Sequence, residues 1–167
     1  MNVMVFLPVQ PVEVRAVRAG EDLGPGAAYA ATATLRHTFD YGEKADEDAD
    51  FAAQIFASLR CLIDGRDRLL LAAEVTNLPP ECGEVTFGEV TRPRVQWRDV
   101  RAIFLDEPES RDALRAYATT ARGRTLAEIW ADEATHDLLE HHHLLWFDPT
   151  ELDQALAGLG DPPTKGD

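Results

Sequence analysis

The sequence predicts an α/β or α+β fold, with a single domain over residues 1–160 and a mixed sheet of about five strands covered by helices. Two observations favour this fold class. Short apolar segments typical of buried strands alternate along the chain with segments whose apolar residues recur at helical spacing. In addition, 45% of the 167 residues are hydrophobic and 28% are charged, and no repeat or linker divides the chain, which is typical of one globular domain.

Five segments have the character of strands. Most are apolar nearly throughout, as strands are when helices cover both faces of a sheet, whereas the third alternates between apolar and polar residues. In chain order the segments are NVMVFLP, RLLLAAEV, EVTFGEV, RAIFLDE and LLWF. A short extended piece is also expected around Tyr29, between the first two.

Six segments carry the spacing or the end signals of helices. Pro11 suits a first helical position, Gly20 suits a left-handed helix end, and Thr32 can cap a short helix. The predicted helices cover residues 11–19, 32–39, a long segment within 46–65, then 109–121, 126–139 and a last segment within 148–160. The tail DPPTKGD, residues 161–167, is expected to be disordered.

Two of these helices have a predicted buried stripe, because their apolar residues recur every three or four positions. In the long helix the stripe contains Phe51, Ile55, Leu59 and Leu62. In the helix over 126–139 it contains Leu126, Ile129, Trp130, Ala134 and Leu138.

Charge and composition bound the partners of the protein. The formal net charge is -14, with acidic residues spread along the whole chain, so binding to nucleic acid or to an anionic membrane surface is disfavoured and basic proteins or metal cations are favoured. The start of the chain lacks a basic signal segment and no apolar run approaches membrane-spanning length, so the cytoplasm is the expected location. Cys61 and Cys82 have no paired spacing, and no disulfide is expected.

A histidine-rich segment, EHHHLLWFDPTEL, offers candidate metal ligands. His136, Glu140 and His143 stand at i, i+4 and i+7, so a continuous helix would place them on one face, within reach of one zinc ion. Asp137 or Asp148 could add a further oxygen ligand. The spacing differs from that of the zinc peptidase motifs, so a peptidase is excluded.

A structural interpretation of the same segment stays open. If the helix ends near Leu139, residues 141–143 enter the LLWF strand, where neighbouring side chains point to opposite faces and only His141 and His143 share a face. The histidines then need no function. No other cofactor is expected.

Acidic residues elsewhere have structural explanations. Asp46 to Asp50 alternate like the ligands of a calcium loop, but Phe51 and Ala57 occupy the positions that require glycine and glutamate. These acids instead suit the positive end of the long helix.

Asp106 and Asp148 each follow a predicted strand. In parallel strands both carboxylates would meet at one edge of the sheet, where ligands bind. The run Asp148-Pro149-Thr150-Glu151 has the alternative pattern of a helix cap with a first-turn proline.

Sequence motifs for nucleophilic or phosphate chemistry are missing. Neither Ser58 nor Ser110 lies in G-x-S-x-G, and no phosphate-binding glycine loop is present. The sequence therefore favours a protein that is not an enzyme.

Two segments, VQWRDVRAIFLDEP and LLWFDPTEL, support a resemblance to a known family, together with the Val-rich first strand and its proline-started helix. The chain resembles an uncharacterised family of small proteins from high-GC Gram-positive bacteria, a domain of unknown function. The matching positions are Trp97, Val100, residues 102–106, residues 144–147, Pro149, Glu151 and Leu152. The resemblance implies no catalytic residues, and the three histidines are not part of the family pattern.

The leading functional hypothesis is a non-enzymatic cytoplasmic domain that interacts with a protein partner, with a basic surface suiting the acidic chain. The alternative is a metal-binding protein or metal-dependent hydrolase with zinc on His136, Glu140 and His143. A remoter alternative is mimicry of nucleic acid by the acidic surface.

Overall fold

A computed structural model describes residues 2–157 and 159. These residues form an α+β fold around one six-stranded sheet, so the predicted fold class is confirmed. The strands are β1 (Val3–Pro8), β2 (Ala27–Ala30), β3 (Leu69–Val75), β4 (Glu89–Thr91), β5 (Val100–Leu105) and β6 (Leu145–Phe147). The extended piece expected around Tyr29 is β2, which raises the expected five strands to six. The predicted disordered tail lies outside the described residues.

The sheet has the order β4-β2-β1-β3-β5-β6, and every neighbouring pair is antiparallel. The expectation of a mixed sheet was therefore wrong. Apolar runs show that helices cover a strand on both faces, but they carry no information on strand direction. Asp106 follows β5 and Asp148 follows β6. Because these two neighbouring strands are antiparallel, the two residues lie at opposite ends of the strands.

The described residues contain seven α-helices. They are α1 (Pro11–Arg18), α2 (Ala33–Thr38), α3 (Asp46–Ile63), α4 (Arg111–Ala121), α5 (Leu126–Trp130), α6 (Glu133–His141) and α7 (Leu152–Ala157), with short 3-10 turns at Val85–Phe87, Trp97–Asp99, Pro108–Ser110 and Pro149–Glu151. None of them is long and apolar enough to span a membrane. Thr32 caps α2 as predicted, because its side chain accepts a hydrogen bond from the Leu35 amide at 3.0 Å.

Both faces of the sheet are buried. On β1, Phe6 packs on the face covered by α3, whereas Val5 and Leu7 pack on the face covered by α1 and α7. This alternation explains why the first strand is apolar throughout, since successive side chains point to opposite faces.

The stripe predicted for α3 is only partly correct. Leu59 and Leu62 are buried, but Phe51 is 58% exposed. The buried face begins instead with Ala49 and Ala53, because alanines keep the helical spacing and allow α3 to lie close to the sheet.

The helix predicted over 126–139 is two helices, α5 and α6. Asp132 has an extended conformation and precedes α6, and its carboxylate pairs with Arg124 at 2.8 Å. The break shifts the buried face, so that Ala134 is exposed and Thr135 is buried. The Thr135 hydroxyl donates to the Ile129 carbonyl at 2.5 Å.

The third predicted strand, EVTFGEV, is a strand only in its last part. Val85–Phe87 forms a 3-10 turn, and Gly88 has a φ of 81° before β4 begins. Gly88 lies against the backbone of Ala30, where a β-carbon would collide. Its carbonyl accepts a hydrogen bond from the Ala30 amide at 2.9 Å, so glycine is required at this contact.

Candidate functional site

The histidine-rich segment spans the end of α6 and the loop that leads to β6. His136 and Glu140 lie within α6, His141 is its last residue, and His143 lies beyond it. The helix therefore ends two residues later than the structural interpretation expected, and the proposed zinc ligands do not share one continuous helix.

The imidazoles of this segment contact nearby carbonyl oxygens. His136 Nε2 lies 2.8 Å from the Trp130 carbonyl, and His143 Nε2 lies 3.0 Å from the Glu140 carbonyl. Within residues 2–157 and 159, no group of three or more histidine, cysteine, aspartate or glutamate side chains is placed to hold a metal ion. Zinc binding by His136, Glu140 and His143 stays a prediction.

Asp148 has the predicted structural role. Its carboxylate accepts a hydrogen bond from the Thr150 amide at 2.9 Å, while the Glu151 carboxylate accepts from the Asp148 amide at 3.0 Å. The hydrogen bonds from Thr150 lower the pKa of Asp148, because they stabilise the charged carboxylate.

His136, Glu140 and His143 all line one cavity of about 380 Å³ between α3 and α6, which we call the histidine pocket. Its walls also contain four residues from outside α6: the exposed Phe51, the half-buried Trp130, Arg68 and His142. The Trp130 and His136 rings pack with their centroids 4.4 Å apart.

Arg68 and Asp106 form a buried ion pair beside this pocket. The two side chains are 1% and 4% exposed, and Arg68 Nε donates to both Asp106 oxygens at 3.1 and 3.0 Å. Arg68 Nη2 donates to Asp106 and, at 2.7 Å, to the His142 carbonyl. Burial raises the pKa of the Asp106 carboxyl, and the Arg68 hydrogen bonds oppose that effect.

The Arg68–Asp106 pair anchors the loop after α6, since it joins the ends of β3 and β5 to the backbone of His142. His142 Nδ1 also lies 2.9 Å from the Ser110 hydroxyl. In the sequence, Arg68 is only the first residue of the predicted strand RLLLAAEV. The available signal was the position of Arg68 directly before the apolar run of residues 69–73, because a charge that becomes buried there requires a partner.

A larger cavity of about 1000 Å³ lies between the start of α1, the end of α3 and α4. Four arginines line it, Arg15, Arg66, Arg115 and Arg122, and we call it the arginine cavity. Among the described residues of its lining, Asp67 is the one acidic residue. Apolar side chains contribute the rest of the surface, including Val9, Leu62, Leu69, Ala118 and Leu159. Positive charge is thus concentrated at one cavity of a chain whose net charge is -14.

The arginines differ in their pairing. Arg115 donates two hydrogen bonds to Asp67, at 3.0 and 2.9 Å, and Arg66 pairs with Asp64 at 2.9 Å. The Arg122 side chain makes no hydrogen bond or ion pair with another described residue. Its guanidinium lies over Gly65, where a β-carbon would be 3.5 Å from Arg122 Nε.

Sequence reasoning missed the arginine cavity because its charges come from three separate parts of the chain. One signal was present: Arg115 and Ala118 share a face of α4, and Arg122, the residue that follows the helix, continues the spacing at i+7. The pairing of that face with α1 and the end of α3 depends on tertiary structure.

Comparison with known proteins places the chain in a family. Residues 3–156 match a family described as a family of unknown function, DUF6912. The chain belongs to this family. No curated protein and no solved structure matches it significantly. The expectation of an uncharacterised family is confirmed, and the family assigns no role to any residue of either cavity.

Proposed function

We propose that the protein binds a small organic anion in the arginine cavity and acts as a non-enzymatic binding domain. One observation carries the proposal: among the described residues, four arginines and a single acidic residue line a cavity of about 1000 Å³. In a chain with a net charge of -14, such a concentration of positive charge opposes the overall field. A concave, partly apolar surface of this size is typical of small-molecule sites.

The lining indicates the class of ligand. Guanidinium groups bind carboxylate or phosphate oxygens with two parallel hydrogen bonds, and Arg122 has its donors available. The apolar residues of the same lining suit a hydrocarbon or aromatic body. The ligand therefore combines an anionic group with an apolar body.

The test uses anilinonaphthalene sulfonate, which joins a sulfonate to an aromatic body and fluoresces on binding. We expect Arg122→Met to weaken binding about tenfold, since a hydrogen bond to a charged group contributes about 1.5–3 kcal/mol. The uncharged parent, phenylnaphthylamine, should bind more weakly than the sulfonate. Added salt should also weaken sulfonate binding, because the contacts are partly exposed.

Arg94→Met is the matched control, because Arg94 is 75% exposed, pairs with Asp22 and does not line the cavity. It should bind the sulfonate as the unchanged protein does. Equal affinities for the Arg122→Met and Arg94→Met variants would overturn the proposal.

An accessory role through a protein partner is part of the same proposal. The acidic surface supports a partner with a basic face, and a bound anion would reduce the positive charge at the cavity. A cytoplasmic location and an origin in high-GC Gram-positive bacteria stay predictions.

Zinc binding is the alternative function, supported by the placement of His136, Glu140 and His143 around one pocket. It predicts about one equivalent of zinc by elemental mass spectrometry, in untagged protein dialysed against a mild chelator. A His136→Ala variant should lose that metal. A folded protein without bound metal would exclude zinc binding as the function.

A further inference from the structure

The histidine pocket contains an unused hydrogen-bond donor on a buried cation. Arg68 is 1% exposed, and its Nε and Nη2 atoms are bonded to Asp106 and the His142 carbonyl. Arg68 Nη1 has no hydrogen-bond partner among the described residues. Protein atoms do not enclose it completely. The open space beside Arg68 is the histidine pocket, which this residue lines.

His142 supplies a second donor. Its Nδ1 lies 2.9 Å from the Ser110 hydroxyl. When Ser110 donates this hydrogen bond, the proton of the neutral imidazole is on Nε2. Nε2 has no partner among the described residues, and His142 lines the pocket beside Arg68. Two unpaired donors on residues that line the same pocket suit the two oxygens of a carboxylate.

The remaining walls supply an acceptor and aromatic surface. The Glu140 carboxylate forms no hydrogen bond or ion pair within the part of the chain described, and Glu140 is an exposed residue that lines the pocket. Trp130 and Phe51 contribute aromatic faces, and Phe51 is 58% exposed although it is a large apolar side chain. Because the Phe51 side chain is largely exposed and lines the pocket, its ring is available to contact a ligand.

We propose that the histidine pocket binds a free aromatic α-amino acid, with its carboxylate on Arg68 and His142 and its ammonium group on Glu140. The side chain of the ligand packs between Trp130 and Phe51. A volume of about 380 Å³ accommodates a molecule of this size. This site is separate from the arginine cavity and does not depend on the function proposed for it.

The test compares L-phenylalanine with two derivatives by calorimetric titration. Phenylalaninamide lacks the carboxylate and should bind about tenfold or more weakly, because the hydrogen bonds to the buried guanidinium are lost. N-acetylphenylalanine lacks the ammonium charge and should also bind more weakly. Glu140→Gln should weaken phenylalanine binding by up to about fivefold, the range for a partly exposed charge pair.

Two control variants separate the possible explanations. Glu133 lies in the first turn of α6 and does not line the pocket. The Glu133→Gln variant should therefore bind phenylalanine like the unchanged protein. Arg122→Met removes an arginine of the other cavity and should also leave phenylalanine binding unchanged. Its effect on the sulfonate probe tests the arginine cavity separately.

Nuclear magnetic resonance locates the bound ligand. The indole N–H signal of Trp130 should shift during the titration, whereas those of Trp97 and Trp146, which do not line the pocket, should not. The proposal is overturned by an absence of phenylalanine binding at millimolar concentration. It is equally overturned if N-acetylphenylalanine binds as tightly as phenylalanine, or if Glu140→Gln has no effect.

Discussion

Replacing Arg68 with methionine should strongly destabilise the protein. The substitution keeps an apolar stem but leaves the Asp106 carboxylate unpaired, with a side chain that is 4% exposed. Removing one partner of a buried pair costs about 3–5 kcal/mol, and the His142 carbonyl also loses the donor that lies at 2.7 Å. The cost is a large part of a total stability of about 5–15 kcal/mol.

Urea unfolding followed by circular dichroism measures this loss. For a slope of about 2 kcal/mol per molar urea, the midpoint should fall by about 2 M. Arg115→Met is the control, because Arg115 makes the same two-fold contact with Asp67 but is 58% exposed. Its loss should be about 0–1 kcal/mol.

A double substitution tests the cause. Arg68→Met combined with Asp106→Leu removes both charges, so the variant should recover most of the stability that Arg68→Met loses. If Arg68→Met and Arg115→Met shift the midpoint equally, burial does not decide the strength of these pairs. That result would refute the reasoning.

Three further predictions concern Cys61, Arg111 and Glu84. Cys61 is fully buried and its pKa is raised to about 11 by that burial, so a thiol reagent at pH 8 should label only the partly exposed Cys82 until denaturant is added. Arg111 has two enclosed guanidinium nitrogens, Nε and Nη2, without a partner, so Arg111→Met should leave the melting temperature unchanged or raise it, and a fall of several degrees would contradict this. The Glu84 carboxylate accepts hydrogen bonds from the first amides of α5, at 2.7 Å from Leu126 and 3.0 Å from the next residue; Glu84→Ala should therefore cost about 0.5–2 kcal/mol in urea unfolding, against no change for the exposed Glu109→Ala.

Local patterns in the sequence predicted most individual elements. The proline at the first position of α1, the Thr32 cap of α2 and the cap at Asp148 act within a few residues, so they can be recognised without the rest of the chain. The same holds for the apolar strands, whose composition reflects burial on both faces. The breaks at Asp132 and Gly88 were missed, because the apolar spacing continues across them.

Strand direction and strand order were beyond local patterns. Five antiparallel pairings join residues far apart in the chain, and an apolar run is compatible with either direction. Parallel strands would have brought Asp106 and Asp148 together, whereas the antiparallel pairing of β3 with β5 places Arg68 beside Asp106.

By itself the sequence determined the fold class, most helix and strand positions, the acidic charge and the membership of an uncharacterised family. Tertiary structure alone decided the two cavities. The arginine cavity collects charges from α1, the end of α3 and α4, and the histidine pocket combines α6 with Arg68 and Phe51. Helix and strand signals are local because they arise from backbone geometry and neighbouring side chains. Binding sites are not local, because a ligand contacts residues that are brought together only when the sheet and its helices pack.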